Sequence, residues 1–273
     1  LGWSEENMEI YELPLVFFTV FCQWGIGGAL ALTLLCWNGF GQVSGLQYRQ
    51  LVLFFCIVTL FGSLASVAHL GTPTGAYRAL SGLNLSWLSR EVIAVMGLNA
   101  LLVVWSALCW FRAESRAIPW VGLAASAVGI ATIFMTSQVY YQLLSHPLWH
   151  TAATPLGFLG TAFLAGFVSL IIAYHYWHKS IPLLLNAGVI AGLFMIFVSL
   201  ALRYRVPGAD ATSPLLWWQI CASGLLTSWV LAKCSSTLIL PIFGGGTLVL
   251  IISGELAGRM LFYSNVMRTY PWF

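Results

Sequence analysis

LVLFFCIVTLFGSLASVAHL, residues Leu51–Leu70, contains no Asp, Glu, Lys or Arg. A helix of about 20 mainly apolar residues crosses the ~30 Å hydrocarbon core of a bilayer. Lipid offers no hydrogen-bond partner to a peptide group, so a crossing segment must satisfy its backbone internally. The stretch therefore predicts a transmembrane α-helix that has His69 next to its end.

Similar runs recur along the chain of 273 residues, of which 60% are apolar and only 7% charged. A soluble domain carries about 25% charged residues, so water is not the main solvent of this chain. Eight spans are predicted: Leu13–Trp37, Leu51–Leu70, Glu91–Trp110, Trp120–Leu144, Pro155–Trp177, Ile181–Leu202, Leu215–Ala232 and Leu238–Phe262. We therefore predict an all-α fold, a polytopic membrane protein whose residues 1–273 form one bundle of eight transmembrane helices.

Tryptophans stand at the ends of these runs, where a membrane protein carries its aromatic belts. The predicted belt residues are Trp37, Trp87, Trp110, Trp120, Trp149, Trp177, Trp217 and Trp218. They support the span boundaries and predict contact with the lipid bilayer.

Cysteine and histidine spacing argues against a metal centre in this chain. The cysteines stand singly, without a CxxC pair, at Cys22, Cys36, Cys56, Cys109, Cys221 and Cys234. This pattern predicts neither an iron–sulfur cluster nor a zinc site, and no disulfide framework. Haem b needs two histidines at one depth on facing helices, whereas His146 and His150 fall in a loop and His175 and His178 end the fifth run. We expect no metal, haem or cluster.

An even number of spans puts both ends of the chain on one side of the membrane, here called the terminal side. Ionisable and polar residues within or beside the spans gather there: His69, Arg90, Glu91, Gln138, Tyr140, Tyr141, Glu255 and Arg259. Ionisable residues inside a membrane are costly and usually mark function. The pattern therefore predicts a functional site on the terminal side.

The ionisable residues among them also have purely structural explanations. His69 can end a helix before a turn, and Arg90 with Glu91 can form an interfacial pair at a helix start. Glu255 and Arg259 are four residues apart on one helix face, so we interpret them as a structural pair. Gly254 and Gly258 have the same spacing and predict close helix packing.

The residues together suit the chemistry of a quinol, which gives up two electrons and two protons. A histidine titrates near neutral pH, and a glutamate in an apolar wall readily takes up a proton. His69 and Glu91 lie at one depth on consecutive spans. They therefore predict a quinol site in which both act on the ring oxygens.

Two alternatives stay open. A secondary transporter or proton channel could use the same residues, but it usually places acids near the middle of several spans. The predicted spans put no acid there, and the sequence shows no inverted repeat. A purely structural anchor without a quinone site would make His69 and Glu91 replaceable.

Several motifs resemble those of the membrane-anchor subunits of dimethyl sulfoxide reductases. They are residues 12–21 (ELPLVFFTVF), 69–73 (HLGTP) continuing to 76–80 (AYRAL), 88–91 (LSRE), and 254–259 (GELAGR) with Phe262 and Tyr263. These motifs lie near both ends of the chain, and the middle spans match in pattern alone. Two features depart from the family, namely Arg90 in place of a smaller polar residue and a long acidic segment, Glu5–Glu12.

The resemblance implies a function. Such an anchor lies in the bacterial inner membrane as a multi-pass protein and oxidises menaquinol as a bound substrate. It holds a four-cluster iron–sulfur subunit, to which it passes electrons, and a molybdopterin catalytic subunit. The quinol-site histidine and glutamate of the family fall on His69 and Glu91. We expect Arg78, Arg90, Tyr140 and Tyr141 to complete the quinol-binding set, and no nucleic-acid partner.

Overall fold

The structure, a computed structural model, describes residues 12–38, 44–68, 86–233 and 240–267. Eight helices there are long and apolar enough to cross a membrane, which confirms the predicted all-α, polytopic bundle. They are α1 (Leu13–Trp37), α2 (Gly45–Ala68), α3 (Trp87–Phe111), α4 (Ile118–Tyr141), α5 (Ala153–Tyr176), α6 (Leu183–Arg203), α7 (Pro214–Lys233) and α8 (Leu240–Met267). Within α7, residues Gln219–Leu225 form a π-helical segment between two α-helical pieces.

Helix α3 starts earlier than its apolar run. The run begins at Glu91, whereas the helix begins at Trp87, so Arg90 and Glu91 lie one turn inside it. A charged side chain ends an apolar run, but the helical hydrogen bonds of the backbone continue past that residue. The same effect starts α2 at Gly45 instead of Leu51.

Helix α8 continues to Met267, beyond the predicted end at Phe262. Glu255 is the sixteenth of its 28 residues and so lies near the middle of the helix. The expectation that no acid lies near the middle of a span is therefore wrong. The polar residues Tyr263, Ser264 and Asn265 end the apolar run but still belong to the helix.

Helices α1 and α5 cross at the centre of the bundle with their backbones in contact. A Cβ atom on Gly27 would lie 1.8 Å from the carbonyl oxygen of Ala162, and one on Gly166 would lie 2.2 Å from the carbonyl carbon of Gly27. Small residues permit this approach, as they do at many membrane helix crossings. The contact fixes where the surrounding helices, and their polar side chains, can lie.

The two four-helix halves of the chain pack on the central helices α1 and α5 in a similar way. Helix α1 packs on α2, α4, α5 and α8, and helix α5 packs on α6, α8, α1 and α4. In the same way α3 pairs with α4, and α7 with α8. Because four spans return the polypeptide to its starting side, the halves run in the same direction. The similar packing therefore relates two halves of the same direction, unlike the inverted repeats of many transporters.

Candidate functional site

Among the described residues, the buried glutamates and arginines are Glu91, Arg203, Glu255 and Arg259. With a helical rise of about 1.5 Å per residue, Glu91 lies roughly 6 Å from the start of α3. Arg203 is the last residue of α6, while Arg259 and Glu255 lie about 12 Å and 18 Å from the end of α8. All four thus lie between the terminal side and the middle of the bundle.

Glu91 faces inward from α3 and is 5% exposed. Its Oε1 atom has no hydrogen-bond partner in the part of the protein that the structure describes. Thr136 of α4 lies beside the carboxyl group, and Tyr140 and Tyr263 are close enough to feel its charge. Burying a carboxylate oxygen without a hydrogen-bond partner costs free energy, unless a ligand binds to it or the group is protonated. This makes Glu91 a candidate ligand-binding group.

Five buried rings form an aromatic cluster, two of which, Tyr140 and Tyr263, lie within range of the Glu91 charge. The members of the cluster are Tyr140, Trp149, Phe158, Phe262 and Tyr263. The Tyr140 ring lies 5.1 Å from Trp149 and 5.3 Å from Phe262, and its hydroxyl group lies 2.8 Å from that of Tyr263. Trp149 is only 1% exposed and donates its indole N–H to the carbonyl of Phe262 at 2.9 Å. Its prediction as a lipid-facing belt residue is therefore wrong, because this loop residue turns into the bundle.

Arg259 connects α8 to α1 and to the aromatic cluster. Its Nη2 donates to Oε1 of Gln23 at 2.8 Å, and its Cζ lies 3.8 Å from the ring centre of Phe158. A guanidinium over an aromatic face gains a cation–π interaction, which is strongest when water is excluded. The buried charge is thus held by an amide oxygen and an aromatic face.

Glu255 bonds to a different helix. Its Oε2 accepts a hydrogen bond from Thr161 of α5 at 2.6 Å. Within the described ranges, no direct ion pair joins it to Arg259, although the two feel each other's charge. The predicted pair is therefore not a contact pair: residues four apart share a face, but here each side chain finds a nearer partner on a neighbouring helix.

The π-helical segment of α7 packs against two glycines of α8. A Cβ on Gly254 would lie 2.4 Å from Oγ of Ser223, and one on Gly258 would lie 2.2 Å from the side chain of Gln219. The close packing predicted for these glycines is confirmed. Ser223 and Gln219 also influence the Glu255 carboxyl group. The two glycines therefore let polar side chains of α7 approach that group.

A small cavity lies between α5, α6, α7 and α8 on the terminal side of Glu255. It offers about 20 Å³ of room for water-sized molecules. Its lining residues are Gly157, Thr161, Ile196, Ser199, Leu200, Arg203, Gln219, Glu255, Gly258, Arg259 and Phe262. Charged and hydroxyl-bearing side chains from four helices thus meet at one small space.

Arg203 is not among the predicted site residues, because the apolar run ends before it and the sequence places it in a loop. In the structure it ends α6, is 8% exposed, and places its Cζ 5.0 Å from the Phe262 ring. Its spacing from Gly192 and Ser199 could have indicated this, since all three are buried residues of α6 at intervals typical of one helix face. Gln23 offers no such signal.

Two residues of the predicted quinol set, Glu91 and Tyr140, are buried inside the bundle. Arg90 is half-buried with its Cζ 4.5 Å from the Trp87 ring, and Tyr141 packs on His150 at 4.8 Å between ring centres. Successive residues on a helix point about 100° apart, so Arg90 and Tyr141 leave the face that their neighbours occupy. His69 and Arg78 lie outside the described residues.

Metal ligands do not cluster in the described part of the protein, where no group of three His, Cys, Asp or Glu side chains could hold an ion. Cys22, Cys56 and Cys109 are buried, while Cys36 and Cys221 are exposed. The remaining cysteine, Cys234, lies outside the described residues.

The fold and this site define a multi-pass membrane protein with a buried acid–base cluster between its terminal side and its centre. The protein belongs to the DMSO reductase anchor subunit (DmsC) family, whose model matches residues 7–207. That match includes Glu91, Tyr140 and Arg203 but ends before Glu255 and Arg259.

Individual relatives agree with the family. One anaerobic dimethyl sulfoxide reductase polypeptide of Escherichia coli is 28% identical over an alignment of 277 residues, gaps included. The alignment covers 93% of this sequence and 94% of the relative. Its namesake from Haemophilus influenzae is 32% identical over 167 residues, a match that spans 59% of this sequence and 57% of the relative. A sulfite dehydrogenase subunit of Allochromatium vinosum is 29% identical over 129 residues, 43% of this sequence and 39% of the relative.

Proposed function

We propose that this protein is the anchor subunit of a dimethyl sulfoxide reductase-type complex in the bacterial inner membrane and oxidises menaquinol. The observation that carries the proposal is the buried carboxyl group of Glu91, whose Oε1 lacks a partner among the described residues, one turn inside α3. The family match and the names of the relatives support the complex. In this role the protein takes part in electron transport for anaerobic respiration.

Glu91 accepts a proton from one ring hydroxyl group of the quinol. Loss of that proton leaves an anionic ring oxygen, from which electrons depart more readily than from the neutral quinol. The apolar wall around Glu91 favours this transfer, because a proton on the carboxyl group removes a buried charge. His69 is proposed to bind the other ring oxygen, an assignment that rests on the family resemblance.

The other residues of the predicted set take places around this centre. Tyr140 lies within reach of the Glu91 charge and is proposed to line the quinol pocket. Arg78, Arg90 and Tyr141 are proposed to contact the quinol nearer the membrane surface.

Electrons leave the quinol for a partner subunit. We place a four-cluster iron–sulfur subunit on the terminal side, because Glu91 is only about 6 Å deep there along α3. That subunit would pass electrons to a molybdopterin catalytic subunit, where the terminal substrate is reduced. The relative named as a sulfite dehydrogenase subunit leaves the terminal substrate open.

One observation favours a second candidate, a proton channel or secondary transporter. Glu255 lies near the middle of α8, where ion-translocating proteins often carry acids. This function would move protons without any quinol or iron–sulfur partner. Proton flux through vesicles that contain this protein alone, without quinol, would distinguish it from the anchor function.

The proposed function is tested by a Glu91→Gln substitution, which keeps the side-chain shape but removes the proton acceptor. Menaquinol-driven turnover should fall by ~10²-fold or more, the usual scale for a lost general base. An artificial donor that reduces the catalytic subunit directly should still support normal turnover. The matched control is Glu114→Gln, the same change at an exposed residue between α3 and α4.

Near-normal menaquinol turnover in fully assembled Glu91→Gln complex would refute the assignment. If His69→Ala then behaved normally as well, the protein would be an anchor without a quinol site.

A further inference from the structure

Unpartnered polar atoms single out the small cavity beside Glu255. Buried polar atoms in proteins almost always have a hydrogen-bond partner, from protein or from ordered water. Among the described residues, Nε of Arg203, Oε1 of Glu255 and Nε of Arg259 have no protein partner. All three side chains line this cavity. Two donors and one acceptor that need partners thus border a single space.

The size of the cavity determines which molecule can form hydrogen bonds with those atoms. A buried water needs about 10–15 Å³ measured in this way and two to four polar partners. The room of about 20 Å³ therefore suits one water and is too small for a quinone ring. Thr161, Ser199 and Gln219 add further polar groups to the wall.

We propose that this cavity is a hydrated proton-exchange site in which water connects the Glu255 carboxyl group to the terminal side. Arg203, the last residue of α6, marks the outer end of the path. In the exchange step, the O–H bond of the Glu255 carboxyl group breaks and its proton passes to a cavity water. The carboxylate stays behind, and the excess proton moves outward through water; loading is the reverse.

The charges around Glu255 suit reversible release. From the helices packed against it, the facing groups are Arg259 on α8, Arg203 on α6, and uncharged Thr161 on α5 and Gln219 on α7. The guanidinium groups of Arg259 and Arg203 line the same cavity and favour the carboxylate, while the burial of Glu255 favours its protonated form. Among the described residues, neither form is therefore locked in place by a direct ion pair.

The proposal extends the proposed quinol oxidation, on which it rests only for the source of the protons. Quinol oxidation releases two protons for each molecule oxidised, and Glu91 alone can hold one. Tyr140 and Tyr263 feel the charges of both Glu91 and Arg259, so polar groups continue from the quinol site towards the cavity.

The test uses infrared spectroscopy on the full-length protein in lipid nanodiscs, without quinol. The carboxyl C=O band of Glu255 is identified by its loss in Glu255→Gln and by its shift in Glu255→Asp. On transfer to D₂O, this band should shift within the mixing time. Leu200→Phe, which narrows the cavity from its wall, should slow the exchange at least tenfold. The control Leu193→Phe, on the same helix outside the cavity, should not.

Slow exchange in the unmodified protein, or equal exchange in Leu200→Phe and the control, would overturn the proposal. So would the lack of any carboxyl band that depends on Glu255. Because Glu91→Gln should leave the exchange unchanged, failure of the quinol assignment and failure of this inference give different results.

Discussion

The hydroxyl groups of Tyr140 and Tyr263 lie 2.8 Å apart and join α4 to α8. These helices hold equivalent places in the two four-helix halves, since each packs on both central helices, α1 and α5. The hydrogen bond therefore crosses from one half to the other, between Glu91 and Arg259. We expect it to hold the halves in register around the site.

Tyr140→Phe tests this connection. The substitution keeps the ring contacts but removes one member of a buried hydrogen bond, which costs about 1–3 kcal/mol when the partner stays buried. Thermal unfolding in detergent should therefore shift to a lower temperature. The neighbouring change Tyr141→Phe, at a half-buried ring outside the cluster, should have little effect. Equal unfolding temperatures for the two variants would contradict the role of Tyr140.

Arg259→Ala should destabilise the bundle and lower the yield of assembled protein. It removes a charged hydrogen bond to Gln23 and a cation–π contact with Phe158, which together are worth about 2–5 kcal/mol when buried. Turnover with quinol and with an artificial donor should fall together, in proportion to the amount of complex in the membrane.

Arg259→Lys separates charge from geometry. A lysine keeps the charge but cannot reproduce the planar guanidinium, so it should restore little of the lost yield. A wild-type yield for either variant would show that assembly does not require the contacts of Arg259 with Gln23 and Phe158.

The eight helices could be predicted from sequence because lipid leaves a crossing backbone only one local solution. The predicted and observed bounds of α1 agree, at Leu13 and Trp37. Glu91 could also be predicted to lie at the terminal end of its span. These conclusions depend on residues close together in the sequence.

Side-chain partners could not be predicted in the same way, because they depend on distant residues. The spacing of Glu255 and Arg259 indicates a pair, yet they bond to Thr161 and Gln23 on two other helices. Hydropathy alone misses the burial of Arg203, because it ends a span at the first charged residue. Local sequence therefore indicates the depth of Glu91 but not the partners of these buried side chains.

The crossing of α1 and α5 is tested by Gly27→Ala. A new Cβ would lie 1.8 Å from the carbonyl oxygen of Ala162, so the helices must separate. Overpacking usually costs about 1–3 kcal/mol, and contact with backbone should give the upper end. In Gly97→Ala the new Cβ has no neighbour within 4 Å, and the better helix propensity should stabilise the protein by up to about 1 kcal/mol. Unfolding temperatures that move in the same direction would contradict the described crossing.

Photo-crosslinking tests which face docks the iron–sulfur subunit. Leu144, between α4 and α5 on the terminal side, is 74% exposed, and Phe111, at the opposite end of α3, is 84% exposed. A photoreactive amino acid at Leu144 should link the protein to the iron–sulfur subunit, because electrons from the proposed quinol near Glu91 could reach a cluster only over a short distance. The same amino acid at Phe111 should give no such link. If Phe111 linked and Leu144 did not, the partner would lie on the far side of the membrane, and a quinol bound near Glu91 could not be its direct electron donor.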